Sequence, residues 1–380
     1  MPGRPLHPPV WWAATFEFDR SEELIEAARA ATRRFETGTP AEPIYTRWDN
    51  PTVRAVEEAV AALENGEDAL AFASGMAAIS TALLAFLRQG DHVLALSTLY
   101  GGTVELLTDV LPRWGIRVTC VDPDDLTPER IRETRPQVVY VESPTNPTLR
   151  VLPLRPIAEA AHQVGALAVI DNTFATPVLQ QPLMFGFDLV IHSATKALGG
   201  HHDVMGGFVV GLRHWLRPIW DMRKLLGGVM DPMVAFMVYR GLKTLTLRVL
   251  HQCETALQVA RFLADHPRVR QVFYPGLPTH PDHAVARAQM RAFGTMVSFL
   301  YDGDIAATQA LIDRLTVFHR AASLGGVDSL VTQPVTTSHL HVDDTLRQRL
   351  GIGPNLVRLS IGVEPAETLI ADLRRALEAS

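Results

Sequence analysis

Cysteine is almost absent from this chain: Cys120 and Cys253 are the only two in 380 residues. Two thiols cannot build a disulfide framework, and both sit in apolar segments, where a small core residue fits. Such usage belongs to a reducing compartment, so the cytoplasm is the expected location. Long apolar runs are missing too. No stretch approaches the roughly 18 residues of a membrane span, and the opening Met1-Pro-Gly-Arg-Pro-Leu-His-Pro-Pro9 lacks the apolar core of a secretion signal. Basic charge is also in short supply. The 35 Lys and Arg are outnumbered by 41 Asp and Glu, for a net charge of −6 and a pI near 6.2. That leaves no footprint for nucleic acid, and no Lys/Arg cluster marks a membrane surface.

What remains is a globular composition, 47% hydrophobic and 20% charged, in a chain long enough for about two domains. Residues 1–52 read as an N-terminal arm. A Pro-rich start leads through Val10, Trp11, Trp12, Phe16 and Phe18 to a helix over Ser21–Phe35, with Ser21 at its cap and Glu22 and Glu23 in its first turn. An arm this apolar is expected to pack on another part of the assembly. Over residues 53–235 short apolar strands alternate with helices. Strands are expected at Ala69–Ala73, His92–Leu96, Arg117–Val121, Val138–Glu142, Leu167–Asp171, Leu189–His192 and Phe208–Gly211, with helices such as Ala77–Leu87 and Pro156–Val164 between them. This alternation predicts an α/β domain on a mostly parallel, doubly wound sheet. A long helical run from Pro232 to Asp265 leads into a smaller α+β domain, residues 236–380, with strands near Met296–Tyr301 and Leu356–Ile361.

The chemistry collects at the carboxyl ends of these strands, the edge where open α/β sheets place their ligands. Asp188-Leu-Val-Ile-His-Ser-Ala-Thr-Lys196 delivers two hydroxyls and a lysine straight after an apolar run, ahead of a Gly199-Gly200 turn. A lysine held there is suited to forming a Schiff base with a carbonyl cofactor. Taken alone, it is more often a solvated surface charge. Ala73-Ser74-Gly75-Met76-Ala77 leaves one strand and opens a helix; its glycine and free N–H groups suit a phosphate, although a plain helix entry looks the same. Asp171 ends another strand, where it can pair with a pyridinium nitrogen or simply cap the next helix. Glu142-Ser-Pro-Thr-Asn-Pro147 brings Asn146 toward a ring oxygen, and Tyr100, ahead of Gly101-Gly102-Thr103, offers an aromatic plate. At successive strand ends these tips form one consistent set for pyridoxal phosphate.

The same segments carry a resemblance. Tyr45-Thr-Arg-Trp-Asp-Asn-Pro-Thr52, Ser74-Gly-Met76, Tyr100-Gly-Gly-Thr103, Glu142-Ser-Pro-Thr-Asn-Pro147, Asp171-Asn-Thr173, His192-Ser-Ala-Thr-Lys196, Tyr274-Pro-Gly-Leu277 and Leu356-Val-Arg-Leu-Ser360 are its motifs. From about residue 8 to 378 the chain resembles the Cys/Met-metabolism family of fold-type-I pyridoxal-phosphate enzymes. That family includes cystathionine γ-synthases and γ-lyases, methionine γ-lyases and O-acylhomoserine sulfhydrylases. The resemblance implies that Lys196 forms the Schiff base, Asp171 partners the pyridinium, Tyr100 stacks on the ring and Asn146 bonds its phenolic oxygen. The turn Ser74-Gly75-Met76, with the Ser193 and Thr195 hydroxyls, would hold the phosphate. Tyr45 and Arg47 would reach it from a neighbouring subunit, which implies a dimer and usually a homotetramer. Arg358 would clamp a substrate α-carboxylate, with Ser323 nearby. Independently, an arginine between Val357 and Leu359 in an apolar strand needs an anionic partner, a ligand or an internal salt bridge.

The expected activity is γ-elimination or γ-replacement on sulfur amino acids or O-acylhomoserine. An aminotransferase of the same fold, or an inert cofactor-binding protein, are the rival readings. The chain departs from each subfamily. Gly102 stands where methionine γ-lyases carry cysteine, Ala322 where cystathionine enzymes usually have glutamate, and His202 where relatives commonly have serine. Gln333-Pro-Val-Thr-Thr-Ser-His339 looks more like the sulfhydrylases. The clusters Gly199-Gly-His-His-Asp203 and His280-Pro-Asp-His283 lack the three or four convergent ligands of a zinc site, so no metal is expected.

Overall fold

The computed structural model describes residues 6–39, 41–337, 340, 347 and 350–379. Seven strands, β1 (Asp68–Phe72), β2 (His92–Leu96), β3 (Arg117–Val121), β4 (Val138–Glu142), β5 (Leu167–Asp171), β6 (Leu189–Ser193) and β7 (Gly207–Gly211), form one sheet in the order β1-β7-β6-β5-β4-β2-β3. From β6 across to β3 all pairings are parallel, while β7 runs antiparallel to both neighbours. The mostly parallel sheet expected from the sequence is present, with one strand reversed. In β1, β2, β4, β5 and β7 every residue is buried. Since successive side chains point to opposite faces, both faces of the sheet are covered, and the strands read as continuous apolar runs for that reason. The edge strand β3 is the exception, with Arg117 exposed.

A second sheet takes β8 (Val269–Phe273), β9 (Met296–Tyr301), β10 (His319–Arg320), β11 (Leu330–Thr332) and β12 (Leu356–Ser360) in the order β10-β11-β12-β9-β8. It is antiparallel apart from the short β10–β11 pair. The helices Leu245–Ala264 and Ala366–Glu378 contribute Val259, Leu263, Leu369 and Leu373 to its core.

The helical run expected over 232–265 is two helices, Pro232–Leu242 and Leu245–Ala264. At the break Gly241 abuts the loop that follows β6, where an added Cβ would lie 2.7 Å from the Leu198 oxygen. From the second helix the buried Arg248 donates to the carbonyls of Ala197 at 3.0 Å and Gly241 at 2.9 Å. One turn on, Gln252 donates to the carbonyls of Gly326 at 2.7 Å and Ile361 at 2.8 Å. A single helix therefore fixes the loop after β6 and two loops of the second sheet together.

The arm lies along its own chain. Trp11 N donates to Thr52 Oγ1 at 2.8 Å, Asn50 Nδ2 to the Trp11 carbonyl at 2.9 Å, and Thr15 bridges Tyr45. Arg223, buried against Glu57 at 2.8 Å, also donates to the Ala71 and Trp48 carbonyls and so ties the segment before Asn50 to β1. Trp12 stays 76% exposed. Among the described residues no helix is long and apolar enough to cross a membrane.

Arg248 is a buried cation whose bonds among the described residues go to carbonyl and hydroxyl oxygens, so its removal takes the donor from the Ala197 oxygen and one of several donors from the Gly241 oxygen. Arg248→Met is expected to cost about 2–4 kcal/mol, read as an earlier urea unfolding midpoint. An unshifted midpoint would show that these bonds do not hold the loop.

Candidate active site

Between the carboxyl edge of the first sheet and the second sheet lies a cavity of about 710 Å³. Each strand end contributes to it: Ser74, Gly75 and Met76 after β1, Tyr100 after β2, Glu142 and Asn146 at and beyond β4, Asp171 from β5, and Ser193, Thr195 and Lys196 from β6 and its loop. Ser323 and Arg358 close it from the second sheet. Every residue predicted for the site except Tyr45 and Arg47 is brought here.

One end is built for an anion. Ser74 caps the helix Gly75–Phe86, its Oγ accepting from Ala77 N at 3.0 Å. A Cβ on Gly75 would fall 3.0 Å from Ser193 Cβ, and one on Gly207 would overlap the Ser74 carbonyl. Two glycines thus let β1, β6 and β7 close up around the helix start, where free N–H groups and the helix dipole favour a phosphate. Thr195 Oγ1 is aligned by the Gly206 N–H at 3.1 Å, and Thr173 Oγ1 takes the Ser193 N–H at 2.8 Å.

The other end gathers two acids and two bases. Asp171 accepts the Thr173 N–H at 2.9 Å, and burial raises it above the ordinary carboxylate range. A cationic ring nitrogen beside it would remove that cost. Glu142, its register partner on β4, is pushed up further, by burial first and then by Asp171. Its Oε2 takes the Tyr100 N–H at 2.9 Å and so orients the aromatic residue. A Cβ at Gly102 would lie 2.8 Å from Tyr100 Cε1, so the ring folds back over a residue with no side chain.

Lys196 Nζ donates to Ser323 Oγ at 3.0 Å. Desolvation and the nearby Arg358 push its ammonium down to about 8. Arg358 is buried, is pushed down to about 10 by desolvation, and donates to Asn146 Oδ1 at 2.9 Å and the Ser323 carbonyl at 3.2 Å. At neutral pH it is still a cation, and among the described residues no carboxylate is hydrogen-bonded to it, as a site for a substrate anion requires.

Tyr45 and Arg47 sit elsewhere in this chain. Arg47 lies over the Tyr45 ring, 5.3 Å from its centroid, and donates to the Lys224 carbonyl, while Tyr45 is partly exposed. The sequence reading gave no role to Glu142, although a carboxylate ending the same sort of apolar strand as Asp171 was a usable signal. Thr173, Phe174 and Met205 also line the cavity, and nothing in their local pattern distinguished them.

A phosphate cradle at a helix start, a carboxylate suited to a pyridinium, an aromatic plate and a lysine pushed down to about 8 fit pyridoxal phosphate. With the doubly wound fold, they define a pyridoxal-phosphate-dependent enzyme. The chain belongs to the Cys/Met metabolism PLP-dependent enzyme family, which it matches over residues 4–378. It is 44% identical over 342 residues to a cystathionine β-lyase of Coxiella burnetii, covering 88% of this chain and 87% of that one. To the chloroplastic cystathionine γ-synthase 1 of Nicotiana tabacum it is 40% identical over 372 residues, 97% of this chain and 67% of that one. A solved cystathionine γ-synthase of Xanthomonas oryzae pv. oryzae, in complex with aminoacrylate and cysteine, superposes with a TM-score of 0.90. Its identity is 38%, covering 98% of this chain and 93% of that one.

Lys196 is one of three lysines, with Lys224 and Lys243. In the cofactor-free protein its labelling by an amine-selective reagent should rise with a midpoint at about pH 8, because only the deprotonated amine reacts. Peptide mapping by mass spectrometry reads it, and a midpoint at the ordinary lysine value of 10.5 would contradict the cavity's effect.

Proposed function

We propose that this enzyme carries out γ-elimination or γ-replacement on sulfur amino acids or O-acylhomoserine, a cystathionine γ-synthase/γ-lyase-like reaction. The observation that carries it is the union, in one cavity, of Lys196 and a carbonyl-bound, carboxylate-free Arg358, both touching Ser323. Bound pyridoxal phosphate supplies an electron sink for the pair left at Cα. In this reading Asp171 faces the ring nitrogen, Tyr100 the ring face and Asn146 its phenolic oxygen. The Gly75 and Met76 amides, with the hydroxyls of Ser193 and Thr195, hold the phosphate. Arg358 takes the substrate α-carboxylate, as a planar fork suits. Lys196, with a conjugate acid near 8, is a fitting base for the Cα proton and a fitting acid to return it at Cβ. Tyr100, at the mouth of the cavity, donates a proton to the departing γ-group.

Among the alternatives, the methionine γ-lyase reading is weakened by Gly102: with Tyr100 folded over it, a side chain there would collide. O-acylhomoserine sulfhydrylase stays as the second reading, on Gln333-Pro-Val-Thr-Thr. Gln333 is buried directly after β11, next to the cavity residue Thr332, while Ser338 and His339 lie outside the described residues. We place the enzyme in the cytoplasm as a homotetramer built from dimers that share active sites. Tyr45 and Arg47, away from their own chain's cavity, would serve a neighbour's phosphate.

The test is a substrate panel: cystathionine, methionine, and O-acetyl- and O-succinylhomoserine with cysteine or sulfide, scored for thiol, thioether and 2-oxobutanoate. Conversion of the cofactor to its amine form without thiol or oxobutanoate would favour the aminotransferase instead. Lys196→Ala should abolish turnover, by at least about 10³-fold, while its circular dichroism stays that of the parent. A fully active Lys196→Ala enzyme would refute the reading. Arg358→Met should raise KM for every amino-acid substrate by about 10²-fold, as loss of a buried charged contact does. An unchanged KM would remove Arg358 from the carboxylate site.

A further inference from the structure

Behind the cavity a buried carboxylate reaches three of the strand ends that form it. Glu64 ends the helix Pro51–Glu64 and is fully buried. One of its oxygens, Oε1, stands 2.6 Å from His192 Nε2 and accepts from Asn172 Nδ2 at 2.8 Å. Asn172 Oδ1 in turn accepts from Gln180 Nε2 at 3.1 Å, and the same amide donates to the Ser143 carbonyl at 3.1 Å. Gln289 completes the network, donating to Gln180 Oε1 at 3.1 Å and to the Leu152 carbonyl at 2.9 Å.

Three members of this network are chain neighbours of groups that line the cavity. Ser143 follows Glu142, Asn172 follows Asp171 and His192 precedes Ser193. Successive side chains of a strand point to opposite faces, so His192 is turned away from the cavity that Ser193 faces. Glu64, His192 and Asn172 are all buried, and none of them lines the cavity. The acid sits where stability disfavours it. A carboxylate in the last turn of a helix opposes the helix dipole, and Oε2 is buried with no hydrogen bond among the described residues, which is costly. The acid is therefore better explained by the bonds it makes than by the stability of its helix.

We propose that Glu64 is a positioning residue for the cofactor: through Asn172 it fixes the stretch of chain that aims the Asp171 carboxyl at the ring nitrogen. The inference rests on the role given to Asp171 above and goes beyond it, to a side chain outside the cavity. Asn172 N donates to the Ile191 carbonyl at 2.9 Å, and Asp171 accepts the Thr173 N–H at 2.9 Å. The main chain here is thus held toward β6, and Glu64 adds the hold on the Asn172 side chain. Without Glu64 the Asn172 amide keeps only the Gln180 carbonyl at 2.9 Å, and the end of β5 loses its tie to the helix behind it.

The probe is 4′-deoxypyridoxine phosphate, which keeps the ring nitrogen and the phosphate and lacks the aldehyde that a lysine takes up. Titration calorimetry measures its binding to the full-length chain freed of cofactor. Glu64→Leu should weaken it about 10-fold, the scale of a buried hydrogen bond lost. Glu64→Gln keeps the acceptor oxygen and should stay within about twofold of the parent. A cycle with Asp171→Asn separates positioning from general loosening: in that background Glu64→Leu should change the affinity by less than about twofold. Equal losses in both backgrounds overturn the inference, as does a Glu64→Gln loss as large as that of Glu64→Leu. If Glu64→Leu does not fold, Gln180→Met stands in, since it takes the donor from Asn172 Oδ1 and leaves Glu64 intact. A loss of about 3–5-fold that disappears in the Asp171→Asn background is then expected, and parental affinity overturns the inference. Asp171→Asn binding the probe as tightly as the parent overturns the role given to Asp171, and this inference with it. A loss in Asp171→Asn with none in Glu64→Leu overturns this inference alone.

Discussion

One buried guanidinium joins the two halves of this molecule. Arg358 extends from β12 of the second sheet and donates to Asn146, in the loop after β4 of the first, and to the main chain at Ser323. A cation so far from water is stable only if its donors are met. Here they are met by neutral oxygens, which leaves its charge uncompensated. That shortfall makes the site receptive to an anion. It also acts at a distance on Lys196, since a second cation in the same desolvated space favours the neutral amine. One contact between the two sheets thus leaves a cation in the cavity and favours the neutral form of Lys196.

The carboxyls work by the same physics with the sign reversed. Glu142 and Asp171 are cross-strand partners at the ends of β4 and β5, and both are buried. Two adjacent carboxyls in such a place do not both ionise readily. Both are held above the ordinary carboxylate range, by burial first, and Glu142 spends an oxygen on the Tyr100 amide. A cation placed beside Asp171 would lower the cost of its charge. Helix Leu245–Ala264 supports this arrangement without lining the cavity: Arg248 holds the loop carrying Lys196, and Gln252 the loops on either side of β11 and β12.

Much of this was legible from residues alone, for a local reason. Parallel strands covered on both faces are continuous apolar runs, and each ends abruptly in a polar tip, so β2, β3, β4 and β5 fall at their expected bounds. Tips such as Ser74-Gly75-Met76 and Ser193-Ala-Thr-Lys196 need only a few consecutive residues to be read. What was not legible is non-local. The reversal of β7 depends on its pairing between β1 and β6. The break between Leu242 and Leu245 occurs where Gly241 meets a loop over forty positions away. Glu142 acquires its role only because β5 places Asp171 beside it.

The same distinction explains why the anchor lysine says so little about substrate. Lys196, Asp171 and the phosphate cradle lie on strand ends, which a sheet fixes tightly. Beside them run two loops, 199–203 and 321–328, whose course is set by unusual dihedral angles. His202 has φ 59°, Ser323 φ 108° and Gly325 φ 74°, and Gly325 N is tied to Ser360 Oγ at 2.8 Å. Strained residues of this kind persist only where surrounding contacts over-determine them. Here those contacts are the Ser323 bonds to Lys196 and Arg358 and the seat of His202 on Gly326. These loops are therefore held by side chains that line the same cavity. A side-chain change at 322 or 328 alters what the loops present while leaving these contacts in place. Specificity can drift in such a family without disturbing the reaction it serves.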